Sequence, residues 1–137
     1  MPVVLCFALI NKMCLKQMEQ KMKKILIIDD DPKIREYLTD LFEDNGYATA
    51  SAISVQEGLE LVSSETFDLI TLDLEMPGEW GPRFYSKMVQ NMNLKNIPVV
   101  VISGMSGSEY AISKAVASLT KPFDRKELLK IVRDVLS

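Results

Sequence analysis

What most constrains the fold of this chain is a set of short apolar runs that each end in a polar group. Ile25-Leu26-Ile27-Ile28 ends in Asp29-Asp30-Asp31, Leu69-Ile70-Thr71-Leu72 ends in Asp73, and the run from Ile97 to Ile102 ends in Ser103-Gly104. Runs of this length, rich in β-branched residues and without alternation, suit strands buried on both faces. Two weaker strands are expected from Tyr47 to Ala52 and near Leu119-Thr120, the second leading into Lys121-Pro122-Phe123.

The segments between these runs have helical periodicity. Asp31 reads as an N-cap with Pro32 at the first helical position, and Ile34, Leu38, Leu41 and Phe42 fall on one face of a helix that stops near Asn45-Gly46. Ser54 to Glu57 is a capping box, followed by a stripe of Val55, Leu59 and Val62. Further helices are expected from about Pro82 to Asn91, with Phe84 and Met88 on one face, and from about Ser108 to Val116. Asp124 to Glu127 caps the last helix, whose stripe is Leu128, Ile131, Val132 and Val135.

Five strand-helix units imply an α/β fold, an open doubly wound five-stranded parallel sheet with helices on both faces. Sites in such sheets lie outside the carboxyl ends of the strands. Asp29, Asp30, Asp73, Ser103 and Lys121 all fall on that edge. An acid at one strand end commonly just starts a turn, but agreement among four strand ends points to a site.

Composition narrows the chemistry. With 137 residues, 47% of them hydrophobic and 26% charged, the chain is one globular domain's worth with material for a sizeable core. A net charge of -3 and scattered lysines argue against direct nucleic-acid binding. Histidine is absent, which removes His-dependent nucleophilic catalysis, His-containing zinc sites and a phosphohistidine donor role. Carboxylates, hydroxyls and lysine remain. Cys6 and Cys14 match neither a redox pair nor a zinc knuckle, so a reducing, cytoplasmic compartment is expected. Both lie in residues 1–22, expected to be an N-terminal extension ahead of a domain at 23–137. Its apolar run from Pro2 to Ile10 is shorter than the ~20 residues that span a bilayer, and it lacks the charge pattern of a secretory signal. The extension is expected to matter little to the fold; docking on the domain or on a second copy is the other reading.

The run ILIIDDDP, the segment LDLEMPG with Gly81 following, the strand VVVIS with Gly104 after it, and the segment TKPF resemble the receiver domain of bacterial two-component response regulators. The resemblance spans residues 23–136. It implies a flavodoxin-like fold with strand order 2-1-3-4-5, an order known for this class, and phosphorylation by a sensor histidine kinase or a histidine phosphotransfer protein with Mg²⁺ as cofactor. Position by position it implies that Asp73 is the phosphoacceptor, Asp30 a metal ligand, and Asp29 an acidic neighbour that assists coordination or holds metal-bound water. Glu75 would offer its backbone carbonyl to the metal, Ser103 its hydroxyl to a phosphoryl oxygen, and Lys121 its charge to the phosphoryl group. Lys121-Pro122 becomes a candidate cis peptide. The same parts make physical sense, since converging carboxylates repel one another, Mg²⁺ suits one or two carboxylates plus phosphate oxygens, and a carboxylate can act as a covalent nucleophile.

Two features depart from the resemblance. Ser118 stands where receivers usually carry an aromatic residue that turns inward on activation, and only eighteen positions separate Ser103 from Lys121, several fewer than usual. Both fall on the face receivers use for dimerising or meeting an output partner, so retained phosphoryl chemistry with altered readout is expected. No effector module follows the last helix before Ser137, and the expectation is a stand-alone receiver. It would bind an unknown downstream protein or pass its phosphoryl group on, with a homodimer among the assemblies allowed. Contact with membrane or nucleic acid is not expected, nor is enzyme activity beyond its own phosphotransfer and dephosphorylation, whose rate Glu75 and Met105 could tune. The alternative is a receiver-like interaction module that works without phosphorylation.

Overall fold

The computed structural model describes residues 22–76, 79, 80, 86, 90, 96–104 and 115–137. The elements in chain order are β1 (Lys24–Ile28), α1 (Pro32–Asp44), β2 (Ala48–Ala52), α2 (Val55–Ser64), β3 (Leu69–Leu72), β4 (Glu75–Met76), β5 (Glu79–Trp80), β6 (Val99–Ser103), β7 (Ala117–Thr120) and α3 (Arg125–Leu136). Five of the strands form one sheet in the order β2-β1-β3-β6-β7, with every pairing parallel. This is the doubly wound order that the resemblance implies.

The helices start where the capping residues put them. Asp31 accepts from the Lys33 N–H at 2.9 Å ahead of Pro32, and Asp124 accepts from the Lys126 N–H at 2.9 Å. The first helix ends at Asn45, and Gly46 follows at φ 88°, a left-handed conformation that costs glycine little. Strand alternation then divides the core in two. Leu26, Ile28, Ile70, Leu72, Val99 and Val101 pack with Val55 and Val62 of α2 on one face. Ile25, Ile27, Leu69, Val100, Ile102 and Leu119 pack with Leu38 and Phe42 of α1 and with Leu128 and Val132 of α3 on the other.

Element boundaries differ from the sequence expectation near the last two strands of the sheet. Strand β6 starts at Val99, because Pro98 has no N–H to give a ladder; its carbonyl still accepts from Ile70 N–H at 3.0 Å. That strand runs one residue further than expected and includes Ser103, paired with Thr120. Strand β7 starts at Ala117 and so includes Ser118, paired with Val101. Ala115 and Val116 are not helical, and the Val116 N–H bonds the Val99 carbonyl at 3.0 Å, so sheet pairing takes the end of the helix expected up to Val116. The antiparallel ribbon of β4 and β5 was not expected, since two-residue strands carry no periodicity. Ser86 and Gln90 are helical, as the Pro82 to Asn91 reading requires. The rest of that helix, most of the Ser108 helix, Pro77, Gly78 and Gly81, Met105 and residues 1–21 lie outside the described residues.

Candidate functional site

The reactive groups gather because parallel strands end together. The Asp73 N–H donates to the Ile28 carbonyl at 2.9 Å, which sets the end of β3 beside Asp29 at the end of β1. The Lys121 N–H donates to the Ser103 carbonyl at 2.9 Å and joins the ends of β6 and β7 in the same way. One carboxylate oxygen each from Asp29, Asp30 and Asp73 lies within 4.8 Å of the others. Asp29 and Asp73 are each 3% exposed and Ser103 is fully buried, whereas Asp30 is partly exposed.

The two buried acids are held by specific donors. Asp73 Oδ1 accepts from the Glu75 N–H at 3.1 Å, and Asp29 Oδ1 accepts from the Asp31 N–H at 2.9 Å. Lys121 Nζ lies 2.8 Å from Asp29 Oδ2 and 3.6 Å from Asp73 Oδ2, a hydrogen bond to the first and a longer ion pair to the second. The Lys121-Pro122 bond is cis. Glu75 is exposed, and its carboxylate lies over Gly104, where an added Cβ would come within 3.4 Å of Oε2.

Burial pushes the Asp73 carboxyl up to about 6, and the charges of Asp29 and Asp30 add to the rise. The Glu75 N–H and the Lys121 ammonium work against it. Burial also disfavours the Lys121 charge, but the hydrogen bond and charge of Asp29, with the charge of Asp73, outweigh it and raise the lysine above its ordinary value. One ammonium does not balance three carboxylates. Oxygen donors in excess of positive charge suit a hard divalent cation, and Asp30 is the most exposed of the three acids.

The structure thus brings Asp29, Asp30, Asp73 and Lys121 into one cluster, with Ser103 on the neighbouring strand end and Glu75 two residues beyond Asp73. Sequence reasoning missed Arg35, whose Nη1 donates to the Asp29 carbonyl at 2.8 Å. A signal was available: Arg35 stands in the first turn of α1, where the helix dipole disfavours a cation and no residue of the turn itself is acidic. It also missed Thr71, buried at 2% exposure two residues before Asp73, whose hydroxyl has no hydrogen-bond partner among the described protein groups.

Residues 25–133 match the family described as the response regulator receiver domain, a span that includes all four of these strand ends. The chain belongs to that family. Among relatives of this receiver, Protein Rrf1 of Nitratidesulfovibrio vulgaris is 39% identical over 114 residues, covering 83% of both chains. Sporulation initiation phosphotransferase F of Bacillus subtilis is 33% identical, over 83% of this receiver and 94% of that protein. Among solved structures, the response regulator protein TrrA of Thermotoga maritima, in complex with Mg(2+)-BeF, superposes with a TM-score of 0.75 at 30% identity, over 83% of this receiver and 99% of that chain. Among the described residues no helix is long and apolar enough to cross a membrane.

Proposed function

We propose that this receiver is a cytoplasmic signalling protein phosphorylated on Asp73 in a Mg²⁺-dependent reaction by a sensor histidine kinase or a histidine phosphotransfer protein, and that a downstream protein reads the phosphorylated state. The observation that carries this reading is the convergence of three carboxylates and Lys121 at the carboxyl edge of the sheet, with Asp73 held at a strand end. Asp29, Asp30 and Asp73 would hold the cation, joined by the backbone carbonyl of Glu75 as the family resemblance implies. When bound, Mg²⁺ neutralises the acids and the phosphoryl oxygens.

The chain's own groups do the rest. Strand β3 and the Glu75 N–H fix the direction of the Asp73 carboxylate, which at physiological pH is mostly ionised and able to attack. An Asp73 oxygen forms a bond to phosphorus as the phosphorus–nitrogen bond of a phosphohistidine breaks, and the electron pair of that bond stays on the leaving imidazole. Lys121 then has two anions to choose between, Asp29 and the new phosphoryl group, and its 3.6 Å approach to Asp73 puts the second within a small rotation. The Ser103 hydroxyl supplies a hydrogen bond to the phosphoryl group from the adjoining strand end.

The test is intact-mass spectrometry after incubation with Mg²⁺ and acetyl phosphate, with Asp73→Asn alongside. A single labile phosphoryl adduct on the unmodified chain alone is the expected result; an adduct that persists on Asp73→Asn would overturn the assignment. Ser118 favours one further reading. It is half-buried within β7, and a hydroxyl at this position cannot act as the inward-turning aromatic of other receivers. A folded chain that binds Mg²⁺ and takes no adduct would point instead to an interaction module that works without phosphorylation.

A further inference from the structure

Strand β1 runs out of sheet partners at Ile28, whose register mates are Ala52 and Leu72. Asp29 follows, and its backbone carbonyl lies beyond both ladders. A carbonyl in that position next to a cluster of carboxylates needs a donor to define its direction. Arg35 supplies it. The side chain starts from the first turn of α1 and points back toward the helix N-terminus, as helical side chains do, and its guanidinium reaches the Asp29 carbonyl at 2.8 Å. The remaining polar groups of Asp29 are also engaged: its N–H with the Ala52 carbonyl at 3.2 Å, Oδ1 with the Asp31 N–H, and Oδ2 with Lys121. Asp29 is therefore clamped on every side, and of the two side-chain donors in that clamp, Lys121 serves the phosphoryl chemistry described above and Arg35 does not.

We infer that Arg35 is a positioning residue for the acidic pair: by holding the Asp29 carbonyl, it sets the directions in which the Asp29 and Asp30 carboxylates leave the strand end, and so supports divalent-cation binding. The inference rests on the proposed metal role of these acids. It makes a prediction opposite in sign to the simplest alternative. A guanidinium that acted only as a nearby positive charge would repel the cation, and its removal would tighten binding. A guanidinium that orients the ligands would weaken binding when removed, by about tenfold, the lower end of the ~10–100-fold range of groups that orient metal ligands.

Mg²⁺ affinity measured by calorimetric titration of the unmodified chain, Arg35→Met and Arg35→Lys decides between them, with thermal midpoints taken in EDTA. About tenfold weaker binding by Arg35→Met, with most of the loss recovered by Arg35→Lys through its single donor, is the expected result. Equal or tighter binding by Arg35→Met overturns the inference, as does a loss that Arg35→Lys does not reduce. If Arg35→Met loses its cooperative transition, Arg35→Ala, which likewise carries no donor, replaces it under the same criterion of sign. Failure of the unmodified chain to bind Mg²⁺ would instead strike the metal reading itself.

Discussion

Burial lifts the Asp73 carboxyl from an ordinary 3.8 to about 6, with Asp29 and Asp30 adding repulsion. A carboxyl whose folded value is raised favours the fold fully below the unfolded value, and that contribution is lost as pH rises through about 6. At ~1.4 kcal/mol per unit, the ionised group costs the metal-free fold about 2–3 kcal/mol above neutral pH. Asp73→Asn keeps an acceptor for the Glu75 N–H and removes the charge. In EDTA at neutral pH the variant should therefore be more stable than the unmodified chain by about that amount, and the gain should shrink toward zero as pH is lowered through 6 to 4. Urea titrations across that range check both the sign and the window. No gain at neutral pH would mean that burial and the neighbouring acids do not penalise the Asp73 charge in the metal-free fold.

Helix α2 shows how a cap sets an element and where its details escape a sequence pattern. Ser54 Oγ accepts from the Glu57 N–H at 3.1 Å, the arm that the capping box foretells. The return arm goes one residue further out, where Glu57 Oε2 accepts from the Ile53 N–H at 3.4 Å. Ser54→Ala is expected to cost about 1 kcal/mol, read from the urea midpoint, because one helix-start N–H loses its acceptor. The proposed phosphorylation of Asp73 should be unaffected, since the substitution leaves every group of the site in place. A loss below a few tenths of a kcal/mol would show that water replaces the cap without penalty. The caps at Asp31 and Asp124 were equally legible, since capping acts over two or three residues. The β4–β5 ribbon was not, because two paired residues on each side leave no repeat to read.

Among the described residues, two apolar layers pack against the sheet, one on each face. Phe42 of α1 is fully buried in the layer that holds Ile25 and Ile27 of β1, and it contacts Tyr47 edge to face with ring centroids 6.4 Å apart. Phe42→Ala should cost about 3–5 kcal/mol in urea unfolding, since a cavity of that size cannot fully collapse; a cost near 1 kcal/mol would mean that the layer repacks freely. Run length and periodicity in the sequence determined the five main strands, the capped helix starts, and the placement of Asp29, Asp30, Asp73, Ser103 and Lys121 at strand ends, because each depends on residues close in the chain. Strand order came with the family resemblance, since alternation alone requires only that the sheet be parallel. Tertiary structure alone decided which strand-end groups bond one another: Lys121 chooses Asp29 at 2.8 Å over Asp73 at 3.6 Å, Arg35 takes the Asp29 carbonyl, and β7 begins early enough to hold Ser118. Those choices turn on ångström-scale differences between groups up to 92 residues apart, set by strand register and helix packing, which no local pattern encodes.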